Sequence, residues 1–218
     1  VARMDRLGVA PQDLAAILVT HEHTDHCSGV ARLSRKYQLP VYLTRGTYAS
    51  GRCEDPSSVV YFHSEEPFSI GDIVIEPLAV PHDAREPCQF VLRSAECRLG
   101  ILTDLGSITP AVVAHYQGCQ GLLLECNHDW TMLQNGPYPP SLISRVGGDW
   151  GHLNNEQSAA LLARLDHSLL QQLVIAHISE KNNCRDQVQL ALAAVYQGVE
   201  EFIWADQALG FDWLALKP

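Results

Sequence analysis

The segment THEHTDH at residues 20–26 directly follows an apolar, strand-like run at residues 16–19. It brings three imidazoles and an aspartate into six positions. Imidazole nitrogen and carboxylate oxygen are ligands that divalent zinc, manganese and iron accept. The simpler alternative is a surface loop that happens to be rich in histidine, but a cluster this compact favours a metal-binding segment.

The direction of the side chains supports that interpretation. Side chains alternate between the two faces of extended backbone, so His21, His23 and Asp25 are expected on one face and Glu22 on the other. A helical turn that begins near Asp25 would bring His26 beside it. The segment therefore predicts one loop that offers two ligands to each of two metals.

Three later residues end apolar, strand-like runs and could complete such a site: His82, Asp104 and His177. Any one of them alone would more often be a solvated or capping residue. Three such residues, each following an apolar strand after the histidine-rich segment, favour metal ligands, because a two-metal site needs more than four donors.

The pattern H-x-H-x-D-H after a hydrophobic strand resembles the signature of the metallo-β-lactamase superfamily. The resemblance implies an α/β (α+β) fold, a four-layer αββα sandwich in which two mixed sheets pack face to face, formed by residues 1–218 as a single domain. Members of the family carry a strand pair before the motif, whereas only twenty residues precede His21 here. One sheet is therefore expected to be short of N-terminal strands.

The resemblance also implies the role of each candidate ligand and a hydrolytic reaction. It assigns the first metal to His21, His23 and His82, the second metal to Asp25, His26 and His177, and a bridging position to Asp104. It implies two divalent ions, with zinc first and manganese or iron as alternatives, and a hydroxide that bridges them and attacks the substrate. Asp25 and Asp104 are accordingly expected to be catalytic as well as metal-binding.

Further segments resemble the YycJ/WalJ-type members, which are related to the tRNase Z and RNase J phosphodiesterases. These segments are Leu124–Asp129, Trp150–Glu156 and Ala176–Asn183. In the phosphodiesterase branch a histidine at the place of His152 protonates the leaving oxygen or steadies the phosphoryl charge, and an imidazole suits both tasks. The alternative is a capping-region residue of the helix that begins at Asn155. His128 is expected either to line the pocket or to orient a ligand.

Composition narrows the partners. The 218-residue chain is 46% hydrophobic and carries a net charge of −10, which argues against a broadly basic surface for nucleic acid but permits a local basic patch. No apolar run approaches the roughly 20 residues of a membrane span, so no membrane partner is expected. Seven scattered cysteines without a C-x-x-C pair suit the cytoplasm. Candidate phosphate contacts, each with plain surface charge as its alternative, are Arg45, Arg52, Arg85, Arg145, Lys181 and Arg185.

Short apolar runs alternate with helical patterns along the chain, as expected for mixed α and β structure. Strands are predicted at Ala16–Thr20, Val41–Thr44, Val59–His63, Ile73–Val80, Gln89–Arg93, Arg98–Thr103, Gly121–Glu125, Leu173–Ala176, Phe202–Ala205 and Phe211–Leu216. Helices are predicted at Gly29–Tyr37, Pro110–Tyr116, Asn155–Leu165 and Arg185–Tyr196. A hairpin is predicted to turn at Gly71-Asp72.

These features favour a metal-dependent phosphodiesterase, most simply a nuclease acting on DNA or RNA ends or on a small phosphodiester. A thioester, lactone or β-lactam hydrolase is the first alternative, ranked lower because those branches lack the His152 segment. A non-catalytic metal-binding regulatory module is the second alternative, and the presence of every expected ligand counts against it.

Overall fold

The computed structural model describes residues 2–197 and 202–218. The chain divides into two compact units, which are Val1–Ala79 with Asp83–Ala95 and Val80–His82 with Glu96–Pro218. Within the described residues, no helix has the length and apolarity needed to cross a membrane.

The first unit combines a small parallel sheet with an antiparallel one. Its helices are α1 (Ala2–Arg6), a 3-10 turn (Pro11–Asp13), α2 (Thr24–Cys27), α3 (Val30–Tyr37) and α4 (Arg45–Ala49). Its strands are β1 (Ile17–Leu18), β2 (Pro40–Leu43), β3 (Ser58–Tyr61), β4 (Phe68–Ile70), β5 (Ile73–Ala79) and β6 (Cys88–Arg93). Strands β1, β2 and β3 run parallel in that order, and β4, β5 and β6 form an antiparallel meander.

A hydrophobic cluster fixes the start of the histidine-rich segment. Val19 directly follows β1 and is packed in a buried core with Val41 and Leu43 of β2 and with Val30 of α3. Burying side chains of this size contributes about 1.5–3 kcal/mol each, which anchors the strand from which the segment departs. Cys27, the last residue of α2, lies in the same core and anchors its other end.

The second unit is built on four parallel strands, and its elements alternate between strand and helix. They are β7 (Arg98–Leu102), α5 (Pro110–His115), β8 (Gly121–Glu125), α6 (Trp130–Asn135), α7 (Pro140–Val146), α8 (Asn155–Leu162), β9 (Gln172–Ala176), α9 (Arg185–Ala193) and β10 (Ile203–Trp204). The strands run in the order β10, β9, β8, β7. Because carboxyl ends of parallel strands meet at one edge, the residues that follow β7, β8 and β9 come together there.

Most predicted strands are present, with ends shifted by no more than two residues. The hairpin is confirmed: Ile70 of β4 pairs with Ile73 of β5, and Gly71 takes the positive φ of 58° that the turn requires. The helical turn expected near Asp25 is confirmed as α2, which begins at Thr24. Helix α3 ends at Tyr37 as predicted, whereas three predicted helices end early, α5 at His115, α8 at Leu162 and α9 at Ala193.

The strand predicted at Phe211–Leu216 is wrong, since this segment carries no strand. Side-chain amides take the place of a backbone ladder: Gln171 Nε2 donates to Lys217 O at 2.8 Å, and Lys217 N donates to Gln171 Oε1 at 2.8 Å. Leu216 packs where a Cβ on Gly121 would lie, so the apolar alternation buries a side chain without pairing the backbone.

The N-terminus of helix α8 is capped by side chains. The Asn154 side chain accepts from Gln157 N at 2.7 Å, and the Gln157 side chain accepts from Asn154 N at 2.9 Å, which completes a capping box. Asn154 stands where members of the resembled family commonly have serine. Serine and asparagine cap helices about equally well, so the departure keeps the physical function of the position.

Asn154→Ala should lower the free energy of unfolding by about 0.5–2 kcal/mol, because one buried N–H of the first turn of α8 loses its acceptor. Asn154→Ser is the matched control and should stay close to the parent protein. Urea denaturation followed by circular dichroism measures both. Equal stability of the alanine and serine variants would show that the cap contributes nothing.

Candidate metal centre

In the first unit, the histidine-rich segment forms a tight group of imidazoles held by one hydroxyl. Thr20 Oγ1 lies 3.0 Å from His21 Nδ1 and 3.1 Å from His26 Nδ1. The ring of His21 lies 4.2 Å from that of His26 and 4.5 Å from that of His23, centroid to centroid. The Nδ1 contacts of His21 and His26 orient these two rings, as second contacts orient histidines that bind metal.

The predicted alternation of faces does not extend to Asp25, because Asp25 lies in helix α2. Glu22 is buried, and its Oε1 accepts from Arg85 N at 2.8 Å. Asp25 Oδ2 lies 3.5 Å from His26 Nε2 within α2, so these two donors stand side by side. His23 Nε2 lies 3.2 Å from Asp83 O.

In the second unit, two predicted ligands have strained backbone. Asp104 follows β7 with a φ of 54°, and His177 follows β9 with a φ of 55°. Residues with a Cβ pay roughly 1–2 kcal/mol to enter this left-handed region. Strain of this kind persists where the surrounding structure over-determines it, most often at functional sites.

A buried glutamate collects these strand ends. Glu125, the last residue of β8, is fully buried and accepts five hydrogen bonds. The donors are Asp104 N at 2.9 Å, Leu105 N at 3.2 Å, Leu153 N at 3.0 Å, His152 Nδ1 at 2.9 Å and His177 Nδ1 at 2.7 Å. One carboxylate therefore fixes the turn after β7, the approach to α8 and two imidazoles.

These contacts determine which form of each group is present. Burial by itself would raise the pKa of the Glu125 carboxyl, but the hydrogen bonds from His152 and His177 outweigh it and hold the pKa at about 2. Burial lowers the pKa of His152, yet the hydrogen bond to Glu125 more than offsets it and raises that pKa above its ordinary value. Glu125 is thus an ionised acceptor whose lone pairs are engaged by N–H donors, which makes it a positioning residue for the rings.

The nitrogen and oxygen atoms around Asp104 are spaced as the ligands of a divalent metal would be. Asp104 Oδ1 lies 3.7 Å from His82 Nε2 and 3.6 Å from His177 Nε2. Two donors on one tetrahedral zinc, with bonds of about 2.1 Å, lie about 3.4 Å apart, so both separations match pairs that share an ion. The Nδ1 atom of His82 is turned to Gly151 O at 3.0 Å, which leaves its Nε2 for the metal. Both imidazole nitrogens therefore lie within 3.7 Å of the same carboxylate oxygen.

His152 lies among these residues without capping α8. Its ring centroid lies 5.2 Å from that of His82 and 5.0 Å from that of His177. The backbone N–H of His152 donates to Val146 O at 2.8 Å. The cap of α8 is Asn154, so the capping alternative for His152 does not hold. With Nδ1 on Glu125, the Nε2 atom of His152 is the one available to a substrate.

His128 is buried one strand end away, beside Asn127 Oδ1 at 3.4 Å. Burial lowers the pKa of its ring to about 4, so the ring is neutral at pH 7. That His128 lines the pocket or orients a ligand stays a prediction. Among the basic candidates, Arg45 stacks on Tyr61 and Arg185 stacks on Trp204, so neither is a simple solvated charge.

Glu125 is the functional residue that the sequence analysis missed. Its segment was recognised, but no role was assigned to the glutamate. A signal was present, because a carboxylate directly after Gly-Leu-Leu-Leu in a buried strand needs several donors to offset its burial.

Comparison with known proteins places the chain in a family. A model of the beta-lactamase superfamily domain matches residues 3–178. The chain belongs to the metallo-β-lactamase superfamily. It is 32% identical to exodeoxyribonuclease YycJ of Bacillus anthracis over 190 residues, covering 85% of this chain and 72% of that one. It is 31% identical to exodeoxyribonuclease WalJ of Streptococcus pneumoniae over 210 residues, covering 93% and 76%.

Solved structures agree on the fold. The metallo-β-lactamase fold protein YhfI of Bacillus subtilis superposes with a TM-score of 0.72 at 18% identity, covering 94% of this chain and 79% of that one. The expected metallo-β-lactamase fold and the YycJ/WalJ likeness are therefore confirmed. The chain is a metal-dependent hydrolase, and its imidazole and carboxylate donors suit the divalent metals that such enzymes use.

Glu125→Gln should weaken divalent-metal binding by about 10–100-fold and lower the free energy of unfolding by about 2–5 kcal/mol. The amide replaces one acceptor oxygen with a donor that faces other N–H donors, so both His152 and His177 lose their fixed orientation. Competition with a chelating dye measures the affinity, and urea denaturation measures the stability.

Glu156→Gln provides the matched control, because Glu156 is exposed in the first turn of α8 and should change stability by no more than about 0.5 kcal/mol. Unchanged metal affinity in Glu125→Gln would contradict the positioning role of the buried carboxylate.

Proposed function

We propose that the chain is a dinuclear metal-dependent phosphodiesterase that removes nucleotides from DNA ends. Two relatives that match most of the chain at 31–32% identity are named exodeoxyribonucleases. The proposal is carried by His152, whose Nδ1 lies 2.9 Å from Glu125 Oε2 and 3.7 Å from Asp104 Oδ1, which leaves Nε2 for a substrate. The thioester and lactone branches of the family lack this segment.

We propose the ligand set that the family resemblance implies. His21, His23 and His82 would hold one ion, Asp25, His26 and His177 would hold the second, and Asp104 would stand between them. We infer that residues 1–218 act as one metallo-β-lactamase-like domain, since the family model spans segments of both units. Zinc is the first choice of metal, with manganese and iron as alternatives of the same ligand preference.

When bound, the two divalent ions would supply Lewis acidity and lower the pKa of an attacking water. The side chains do the remaining work. Glu125 holds His152 so that its Nε2–H can pass a proton to the leaving oxygen as the phosphorus–oxygen bond breaks. His177 is held by the same carboxylate, so the ligand and the proton donor keep a fixed separation throughout the reaction.

The charge balance favours a narrow contact with DNA. A net charge of −10 repels a long polyanion, so binding should depend on a few basic residues near the site. Arg52 is a candidate in the first unit, because its Nη1 lies 3.4 Å from Thr24 Oγ1 at the start of α2. Lys181 is a candidate in the second unit, four residues after His177, with its ammonium 5.9 Å from the Tyr138 ring. An enzyme that grips a strand end needs fewer phosphate contacts than one that follows a duplex.

We also propose that the protein works in a reducing compartment, the cytoplasm. All seven cysteines are thiols in the structure. Cys126, directly after Glu125, is fully buried, and burial raises its pKa to about 12, which keeps it protonated and unreactive.

Removal of metal should abolish hydrolysis of single-stranded DNA, and added zinc or manganese should restore it. His177→Ala should lower the bound metal by about one ion per chain, because that ion loses one of its imidazoles. Elemental analysis of dialysed protein measures the content. His63→Ala, at an exposed histidine, is the control and should keep the full complement. Full activity in the presence of a strong chelator would contradict the metal dependence.

His152→Ala should retain both metals and reduce kcat on DNA by roughly 10²–10⁴-fold, because the leaving oxygen loses its proton donor. The loss should shrink on bis-p-nitrophenyl phosphate, since nitrophenolate leaves without protonation. Steady-state kinetics on the two substrates measure the contrast. A metal-replete variant with parent rates on DNA would remove His152 from the reaction.

A substrate panel distinguishes the alternatives. The proposal expects turnover of DNA ends and of small phosphodiesters, with no more than background rates on thioesters, lactones and β-lactams. The reverse pattern would indicate a thioester or lactone hydrolase with the same donors. A protein that binds metal and hydrolyses none of these would indicate a regulatory module.

A further inference from the structure

We propose that Trp150 is a stacking platform for an unpaired base at the DNA end. The inference rests on the proposed function and adds to it the part of the substrate that is recognised beside the phosphate. Its basis is the position of a large exposed aromatic side chain on the loop that delivers His152.

The exposure of Trp150 is unusual for its residue type. The side chain is 63% exposed, although tryptophan is usually well buried and this one gains no hydrophobic stabilisation from most of its surface. Exposure alone does not distinguish Trp150, since Trp213 is 71% exposed, so its position beside the candidate site carries the inference. Trp130 is less exposed, at 40%, because its ring packs where a Cβ on Gly147 would lie.

The backbone of Trp150 is pressed against the turn that carries Asp104. A Cβ on Gly106 would lie 2.6 Å from Trp150 Cα and would also collide with Asp149 O. Gly106 is itself fixed, since its N–H donates to Pro81 O at 2.8 Å. Only glycine permits this approach, so the indole begins next to the turn of a proposed metal ligand.

The next residue is clamped as firmly. A Cβ on Gly151 would collide with the carbonyl oxygens of Arg145 and Val146 at the end of α7. The Gly151 carbonyl accepts from His82 Nδ1 at 3.0 Å, and the N–H of the following His152 donates to Val146 O. Trp150 is therefore followed directly by Gly151, whose carbonyl orients the proposed metal ligand His82, and then by His152, the proposed proton donor.

A rigid backbone with an exposed indole suits a nucleobase. A fixed aromatic plane loses little conformational freedom on binding, and stacking accepts every base because each presents a π face. The adjacent Asp149 is exposed and negative, which disfavours a phosphate directly beside the indole. The phosphodiester would then lie toward Asp104 and His152, with the unpaired base on Trp150.

The test is Trp150→Ala with steady-state kinetics on a single-stranded oligonucleotide and on bis-p-nitrophenyl phosphate. The KM for the oligonucleotide should rise about 5- to 150-fold, as expected for loss of one stacked base. The kcat/KM for bis-p-nitrophenyl phosphate, which has no base, should stay within about twofold of the parent. Trp150→Phe should recover most of the oligonucleotide affinity, because it keeps an aromatic face.

Trp213→Ala is the matched control. Trp213 is 71% exposed and lies in the C-terminal segment whose Leu216 packs at Gly121, the opposite end of β8 from Glu125. Its substitution should leave the oligonucleotide KM unchanged.

An oligonucleotide KM in Trp150→Ala equal to that of Trp213→Ala would overturn the inference while leaving the proposed function intact. A parent protein without DNA turnover would instead overturn the proposed function. A Trp150→Ala variant that converts a dimer to a monomer in sedimentation, with unchanged oligonucleotide KM, would assign the indole to contact with a second copy and overturn base stacking.

Discussion

The second unit depends on a buried, ionised carboxylate, which is stable there only because it is fully hydrogen-bonded. Glu125 is completely buried at the end of β8, and an isolated charge there would cost several kcal/mol. Three backbone N–H groups and two imidazoles meet it, and bonds to a charged group contribute about 1.5–3 kcal/mol each. The same bonds that stabilise the charge aim His152 and His177, so stability and site geometry share one cause.

This arrangement also explains the backbone strain at the strand ends. Asp104 and His177 occupy left-handed backbone, at a cost of roughly 1–2 kcal/mol each. Glu125 accepts from the N–H of Asp104 and from the ring of His177, so the carboxylate holds both residues in conformations that they would otherwise leave. In these conformations Asp104 Oδ1 lies 3.6 Å from His177 Nε2.

Much of this could be predicted from the sequence, and the misses have physical reasons. The histidine-rich segment and the residues that end β7 and β9 were identifiable because ligand chemistry and strand ends are local features. Glu125 was not assigned, since its role exists only when five donors from distant segments converge. The segment Phe211–Leu216 alternates like a strand, but the amides of Gln171 and Gln172 occupy its backbone groups. Helix α7 was missed because Pro139 and Pro140 suggest a turn, although proline is well suited to the first helical position.

We infer that Glu125 orients the histidines that would bind metal and does not itself bind metal. Anomalous diffraction at the zinc edge, from crystals of the zinc-reconstituted protein, tests this most directly. The account predicts two zinc peaks, one bonded to His82 and the other to His177, with Asp104 between them and Glu125 still hydrogen-bonded to His152 and His177. A zinc ion bonded directly to a Glu125 oxygen, or no peak beside Asp104, would contradict it.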